Sequence, residues 1–363
     1  MNRKIAGRLE RLWYPAAAGA GEPPRALRLA AALYGFAVRA RGTRYDRGAG
    51  ASRRLPVPCV AVGNLSVGGT GKTPLVAWIT ERFLAAGARP AIVSRGYGGR
   101  ERGPAVVPAA GGAAAAARFG DEPALLAARF PQVPVVVGHD RHAAGMLAVR
   151  GAGTTVVVAD DAFQHRRLAR DFDVVVVDAT RGLGNGRLLP AGPLREAPEA
   201  LARAGAIVLN RVGEAQCPGE LRRRLARLAP RALIAESDLA FAGWRNARTG
   251  AAAELPPGTG IYAFCGIANP GSFRRTLEGQ GARLLGWEVF PDHHRYRAGE
   301  LEELARAAAA VGAAAAVTTA KDAARIPRWP GAAPLYRAEV KLVMLKNDEQ
   351  LWQALKSLAA RGG

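Results

Sequence analysis

Apolar positions along the chain fall in short continuous blocks rather than single alternations. Runs at 57–62, 90–94, 133–137, 155–159, 173–178 and 206–210 read as strands buried on both faces. Amphipathic segments separate them, and strands that alternate with helices predict an α/β fold with a doubly wound parallel sheet. From about residue 235 the pattern restarts. Strands at 260–264, 283–287 and 315–319 and a helix at 301–310 predict a second, smaller α/β domain. Residues 348–360 form an amphipathic helix that would return to the first domain. Near the start, Pro23 and Pro24 open a helix over 25–41. Arg25, Arg28 and Arg39 share one side of it, and Leu27, Leu29, Leu33, Tyr34, Phe36 and Val38 cover most of the rest. Such a helix suits either an anionic membrane surface or packing against its own domain.

Composition narrows the class. A hydrophobic content of 49% with 22% charged residues is that of a folded globular chain. A net charge of +21 points to anionic partners. No zinc-finger spacing or aromatic-interleaved basic patch appears, so no nucleic-acid partner is expected. Cys59, Cys217 and Cys265 lack paired spacing, as in a reduced, cytosolic protein. The first residues have no apolar signal-peptide core, and no apolar run is long enough to predict a membrane span.

Candidate chemistry starts at the first strand. The turn at 63–71 is rich in glycine and leads into Lys72, Thr73 and Pro74, which open a helix. Strand, glycine loop and helix with a lysine at the join form a phosphate cradle. Gly68, Gly69, Thr70 and Gly71 would turn backbone N–H groups towards phosphate, Lys72 would reach the β- and γ-phosphates, and Thr73 would ligate Mg²⁺. Ser66 replaces the first glycine of the usual pattern. Only six of the 51 basic residues are lysine, and Lys72 is the only one between Lys4 and Lys321. Where arginine is the default cation, a lone lysine marks a place that needs a compact ammonium.

Other candidates lie at strand ends. Asp160 and Asp161 close the run at 155–159, where a Walker-B carboxylate would face Thr73 across Mg²⁺. Adjacent acids at a buried edge need a cation. Arg95 ends the strand at 90–94 on the ligand-bearing edge. Asp121 and Glu122 begin a helix, either as capping acids or as a catalytic base. The loop from Thr180 to Leu201, dense in Gly, Pro and Arg, reads as a lid or substrate loop.

Together these stretches resemble the tetraacyldisaccharide 4′-kinases of lipid A assembly. The resemblance rests on GNLSVGGTGKTP (63–74), SRGYGG (94–99), GDEP (120–123), VGHDR (137–141), DDAFQHRRLARD (160–171), VVVVDATRGLGNGRLLPAGPLRE (174–196), GIANPGSF (266–273), FPDHHRY (290–296) and TTAKD (318–322). It implies an ATP- and Mg²⁺-dependent lipid kinase that phosphorylates the 4′-hydroxyl of an acylated glucosamine disaccharide 1-phosphate. The enzyme would be peripheral, on the cytoplasmic face of the bacterial inner membrane. The implied organisation is a basic amphipathic membrane-associating segment at 1–50, a P-loop kinase domain at 51–235, a smaller α/β domain at 236–338 and a C-terminal helical segment at 339–363. By the same resemblance Asp161, with Asp160 beside it, is the Walker-B acid, Asp121 is the base, His293 its partner, and Lys72 part of the catalytic set. Glu122, Arg141, Gln164, Glu196 and Arg95 are further site residues. Ala162, Ala320 and Arg295 depart from the family pattern, and Ala162 could tilt the Walker-B turn. The alternative is a regulatory or partitioning ATPase with a deviant phosphate loop. Those proteins carry lysine before the paired glycines, where this chain has Val67.

Overall fold

The computed structural model describes residues 10–14 and 22–359. Parts of the expected membrane-associating segment (1–9 and 15–21) and of the C-terminal segment (360–363) lie outside the described residues. Among the described residues thirteen strands join in one sheet, ordered β11-β10-β12-β13-β8-β7-β6-β1-β5-β2-β4-β3, with β9 (Ala252–Ala253) on β8. The first part contains β1 (Cys59–Asn64), β2 (Pro90–Ser94), β3 (Ala105–Val106), β4 (Val135–Val137), β5 (Val156–Asp160), β6 (Phe172–Asp178) and β7 (Ala206–Asn210). All but the edge strand β3 run parallel. Their carboxyl ends therefore share one edge, where ligands bind in such sheets.

Period-two alternation explains why these runs are apolar throughout. Val60, Val62, Val156, Val158, Val174 and Val176 face one core layer, while Ala61, Val157, Ala159, Val175 and Val177 face the opposite side. Helix α1 (Arg25–Asp46) precedes the sheet. Helices α2 (Lys72–Ala85), α3 (Gly112–Phe119) and α4 (Asp121–Arg129) cover the first face; α5 (Arg141–Ala152) and α6 (Pro218–Leu228) cover the second. In α2, Leu75, Val76, Ile79 and Phe83 are fully buried. Each such side chain contributes roughly 1.5–3 kcal/mol.

The second part holds β10 (Gly260–Cys265), α7 (Pro270–Gly279), β11 (Arg283–Val289), α8 (Ala298–Ala310), β12 (Ala315–Thr319) and the short α9 (Ala320–Ala323). Two long strands join the parts, β8 (Leu233–Asn246) and β13 (Leu335–Lys346). β8 begins parallel to β7, β13 begins parallel to β12, and the two pair antiparallel from Tyr336↔Asn246 to Lys346↔Glu236. The chain then enters α10 (Asp348–Ala359). Its Leu351, Trp352, Leu355 and Leu358 complete the core against α2 and the sheet, and the Phe83 and Trp352 rings meet edge-on at 5.4 Å.

Helix α1 runs further than the predicted 25–41 and divides its faces. Ala31 and Gly35 are buried and the Tyr34 hydroxyl donates to Arg195 O at 2.9 Å, while Leu29, Leu33 and Phe36 are 66–69% exposed. Among the described residues no helix is long and apolar enough to cross a membrane.

Candidate active site

A cleft of about 1920 Å³ opens along the carboxyl edge, between the first part of the sheet and the second. Its floor is the phosphate loop. Gly71 caps α2 with φ 98°, a left-handed conformation that glycine adopts freely. A Cβ there would stand 2.2 Å from Asn210 Nδ2, which instead donates to Thr70 O at 3.0 Å. Asn64 Nδ2 donates to Thr70 Oγ1 at 3.1 Å, and Arg211, ion-paired with Asp178, donates to Gly69 O at 3.2 Å. The carbonyls are thus drawn outwards by the sheet edge. Gly68, Gly69, Gly71, Lys72 and Thr73 all line the cleft.

The carboxylates of β5 sit opposite. Asp160 is fully buried; one oxygen accepts from Ser94 Oγ at 3.2 Å and the other, Oδ1, has no partner. Burial, with the charges of Glu122 and Asp161, pushes its carboxyl up to about 7. Asp161 pairs with Lys72 at 3.5 Å and Arg195 at 2.9 Å, and these cations outweigh burial and hold it below the ordinary range. The turn carries its positive φ at Asp161 (48°), so Ala162 needs no glycine-only conformation and its buried methyl fits the core. The expected tilt at Ala162 therefore has no backbone cause. Of the four non-glycine residues with positive φ among the described residues, Asp161, Arg211 and His293 line this cleft, as strained backbone at a working site does.

A second cluster forms where the two parts meet. Asp121, opening α4, is buried. Arg325 binds its Oδ2 through Nε at 3.1 Å and through Nη2, and His293 Nδ1 lies 3.3 Å from the same oxygen. Lys321 Nζ reaches Glu122 at 3.1 Å and His293 Nε2 at 3.4 Å. Arg325 Nη2 also lies 3.4 Å from Nδ1, so each ring nitrogen faces a cation; the carboxylate oxygen at 3.3 Å is the acceptor beside Nδ1, and on that contact the proton is assigned to Nδ1 and Nε2 is left as acceptor. Burial raises the Asp121 carboxyl, but the His293 hydrogen bond and the charges of Lys321 and Arg325 outweigh it and hold the group well below the carboxylate range. Glu122 is lowered likewise, Lys321 and Lys72 prevailing over burial. His293 lines the cleft; Asp121 lies behind it.

The remaining predicted residues distribute as follows. Arg95 is exposed at the cleft wall. Arg141 is buried, donates to Gly138 O at 3.1 Å, and is pushed down to about 10 by burial against the attraction of Asp161. Gln164 donates to Asn64 O at 3.0 Å, and Glu196 pairs with Arg203 at 3.0 Å; both line the cleft. Arg295 donates to Gly98 O at 2.6 Å, and Ala320 sits beside Lys321 on the wall. Lys321, Arg325, Arg195 and Asn210 join the site without a role expected from the sequence. The scarcity of lysine that singled out Lys72 applies equally to Lys321.

A cradle for phosphates, an unneutralised carboxylate opposite it and a carboxylate–imidazole pair across the cleft suit transfer of a phosphoryl group to a hydroxyl. The family model described as tetraacyldisaccharide-1-P 4′-kinase matches residues 24–360. The chain belongs to the tetraacyldisaccharide-1-P 4′-kinase family. A tetraacyldisaccharide 4′-kinase of Anaeromyxobacter sp. (strain Fw109-5) is 42% identical over 372 residues, covering 98% of this chain and 97% of the relative. One from Alkalilimnicola ehrlichii is 48% identical over 277 residues, covering 76% and 78%. The crystal structure of the "apo" form of LpxK from Aquifex aeolicus in complex with ATP has a TM-score of 0.69 at 28% identity, covering 90% of this chain and 96% of that one. The fold is thus that of a P-loop α/β kinase, and the reaction is ATP-dependent phosphorylation of the 4′-hydroxyl of tetraacyldisaccharide 1-phosphate in lipid A biosynthesis. The partitioning-ATPase alternative falls with it.

Proposed function

We propose that this kinase divides its reaction between the two clusters. Gly68, Gly69, Thr70 and Gly71 hold the ATP phosphates with backbone N–H groups, and Lys72 neutralises the transferring group. Thr73 and Asp160, with Asp161 beside them, would hold Mg²⁺. The orphaned Asp160 Oδ1 and the raised Asp160 carboxyl are what a site short of positive charge looks like. The ion would supply charge neutralisation on the phosphates. Arg141, Arg95, Gln164, Glu122 and Glu196 line the path of the sugar and nucleotide.

The 4′-oxygen attacks the γ-phosphorus, the bond to the β,γ-bridging oxygen breaks, and ADP leaves. The hydroxyl proton goes to the Asp121–His293 pair, whose single negative charge it neutralises. In a loose transition state the hydroxyl becomes acidic only late, so position counts for more than basicity. The observation that carries this reading is the His293–Asp121 contact at 3.3 Å, with His293 facing the cleft. The exposed stripe of Leu29, Leu33 and Phe36, within a chain of charge +21, would rest on the anionic cytoplasmic face of the inner membrane and bring the acylated substrate to the cleft wall formed by Tyr34, Val38 and Arg41. A division at residues 50, 235 and 338 would separate the parts within β8 and β13, the two strands that connect them.

Transfer of labelled γ-phosphate to the tetraacylated disaccharide 1-phosphate in micelles tests the assignment. Asp121→Asn should lower kcat by roughly 10²–10⁴-fold and leave ATP binding intact. Unchanged turnover would remove the pair from the reaction.

A further inference from the structure

Arg325 follows α9 and is buried, its side chain 8% exposed. A buried guanidinium needs an anion, and it has one nearby: Asp322 Oδ1 lies 3.3 Å from Nη1. Asp322 is itself immobilised. It accepts from the Thr319 hydroxyl at 2.6 Å, the Gly266 N–H at 3.0 Å and the Tyr296 hydroxyl at 3.1 Å. Charge balance within the second part of the chain would be met there. Yet the other arm of Arg325 reaches from the second part of the chain to Asp121 in the first, 204 residues away in sequence, through both Nε and Nη2. Both bonds fall on Oδ2, the oxygen that faces His293 Nδ1, so they hold that oxygen in place against the imidazole.

We infer that Arg325 is the positioning residue of the proton-accepting pair, holding Asp121 ionised and oriented towards His293 only when the second part of the chain stands against the first. This rests on the Asp121–His293 reading. The groups facing Asp121 are His293, Lys321 at 3.9 Å and Arg325, with Glu122 next in the chain and Asp292 and Asp322 among the acids around the cations. Without Arg325 the carboxyl keeps its burial penalty and loses a cation, so its pKa rises. The acid limb of kcat then moves to higher pH.

The test uses the full-length kinase with Arg325→Gln, Arg325→Lys and Asp121→Asn, following kcat against pH, KM for ATP and thermal melting. For Arg325→Gln, kcat should fall by about 10²-fold, KM for ATP should hold, the acid limb should move up, and added guanidinium should restore part of the rate. Should the Gln variant fail to fold, Arg325→Lys carries the test: charge retained, acid limb in place, kcat lowered because one ammonium cannot reproduce the fork. A loss of rate with an unmoved acid limb and no guanidinium response in Arg325→Gln, or wild-type kcat in Arg325→Lys, would overturn the inference. Active Asp121→Asn would instead overturn the reading beneath it. Inactive Asp121→Asn beside wild-type Arg325→Gln would overturn the inference alone.

Discussion

At Gly71 the proposed phosphate contact rests on the backbone, and a methyl group is enough to disturb its geometry. The left-handed φ of 98° costs an L-residue roughly 1–2 kcal/mol, and the added carbon would meet Asn210 Nδ2 at 2.2 Å. Asn210 would then lose its hold on Thr70 O. Gly71→Ala should weaken ATP binding at least ~10-fold by calorimetry. Gly69 has no positive φ and its Cβ would come no nearer than 3.4 Å to Ala268, so Gly69→Ala should lose less. Equal losses would locate the sensitivity in phosphate approach rather than in the Asn210 brace. Lys72 was legible from the chain because glycine spacing and lysine scarcity mark it independently. Arg325 was not: one arginine among 51 basic residues carries no signal, and its partner Asp121 lies far off in sequence. Asp121 and Glu122 stood open between cap and catalyst for the same reason, since the cations that distinguish them come from another part of the chain.

Individual elements differ in the same way. The buried strands were readable within about two residues because both faces are apolar. β8 and β13 were missed. Arg337, Glu339 and Lys341 punctuate β13, and β8 mixes acids with half-exposed residues, so each is a strand through pairing with its neighbours, chiefly with the other, rather than through its own pattern. The helix at 25–41 was legible as amphipathic but not as to which face stays free. The structure leaves Leu29, Leu33 and Phe36 exposed in a stripe at i, i+4 and i+7. Leu33→Glu with Phe36→Glu should reduce co-sedimentation with anionic vesicles while the melting temperature holds; undiminished association would assign the membrane contact elsewhere. Trp352 makes the converse case. It is 7% exposed against Phe83 and the sheet, so Trp352→Ala should cost about 3–5 kcal/mol in chemical denaturation.

Across the whole molecule, charged side chains bridge the two parts. Lys321 meets Glu122, Arg325 meets Asp121, Arg181 donates to Ala268 O at 2.7 Å and Arg295 reaches Gly98 O. Lys321→Met should destabilise by ~1–3 kcal/mol because Glu122 keeps its desolvation without its nearest cation. Adding Glu122→Gln should return most of that loss, as removing both charges removes the penalty. The pH sign follows from Glu122, which is held below the glutamate range: its contribution is present above the unfolded-state pKa and lost as pH falls through the folded value. Wild type should therefore open on acidification, seen as a larger radius of gyration by solution X-ray scattering. The double variant should open less. Additive losses in the single and double variants would mean that Lys321 and Glu122 act separately, and that the closed cleft is held by the remaining bridges.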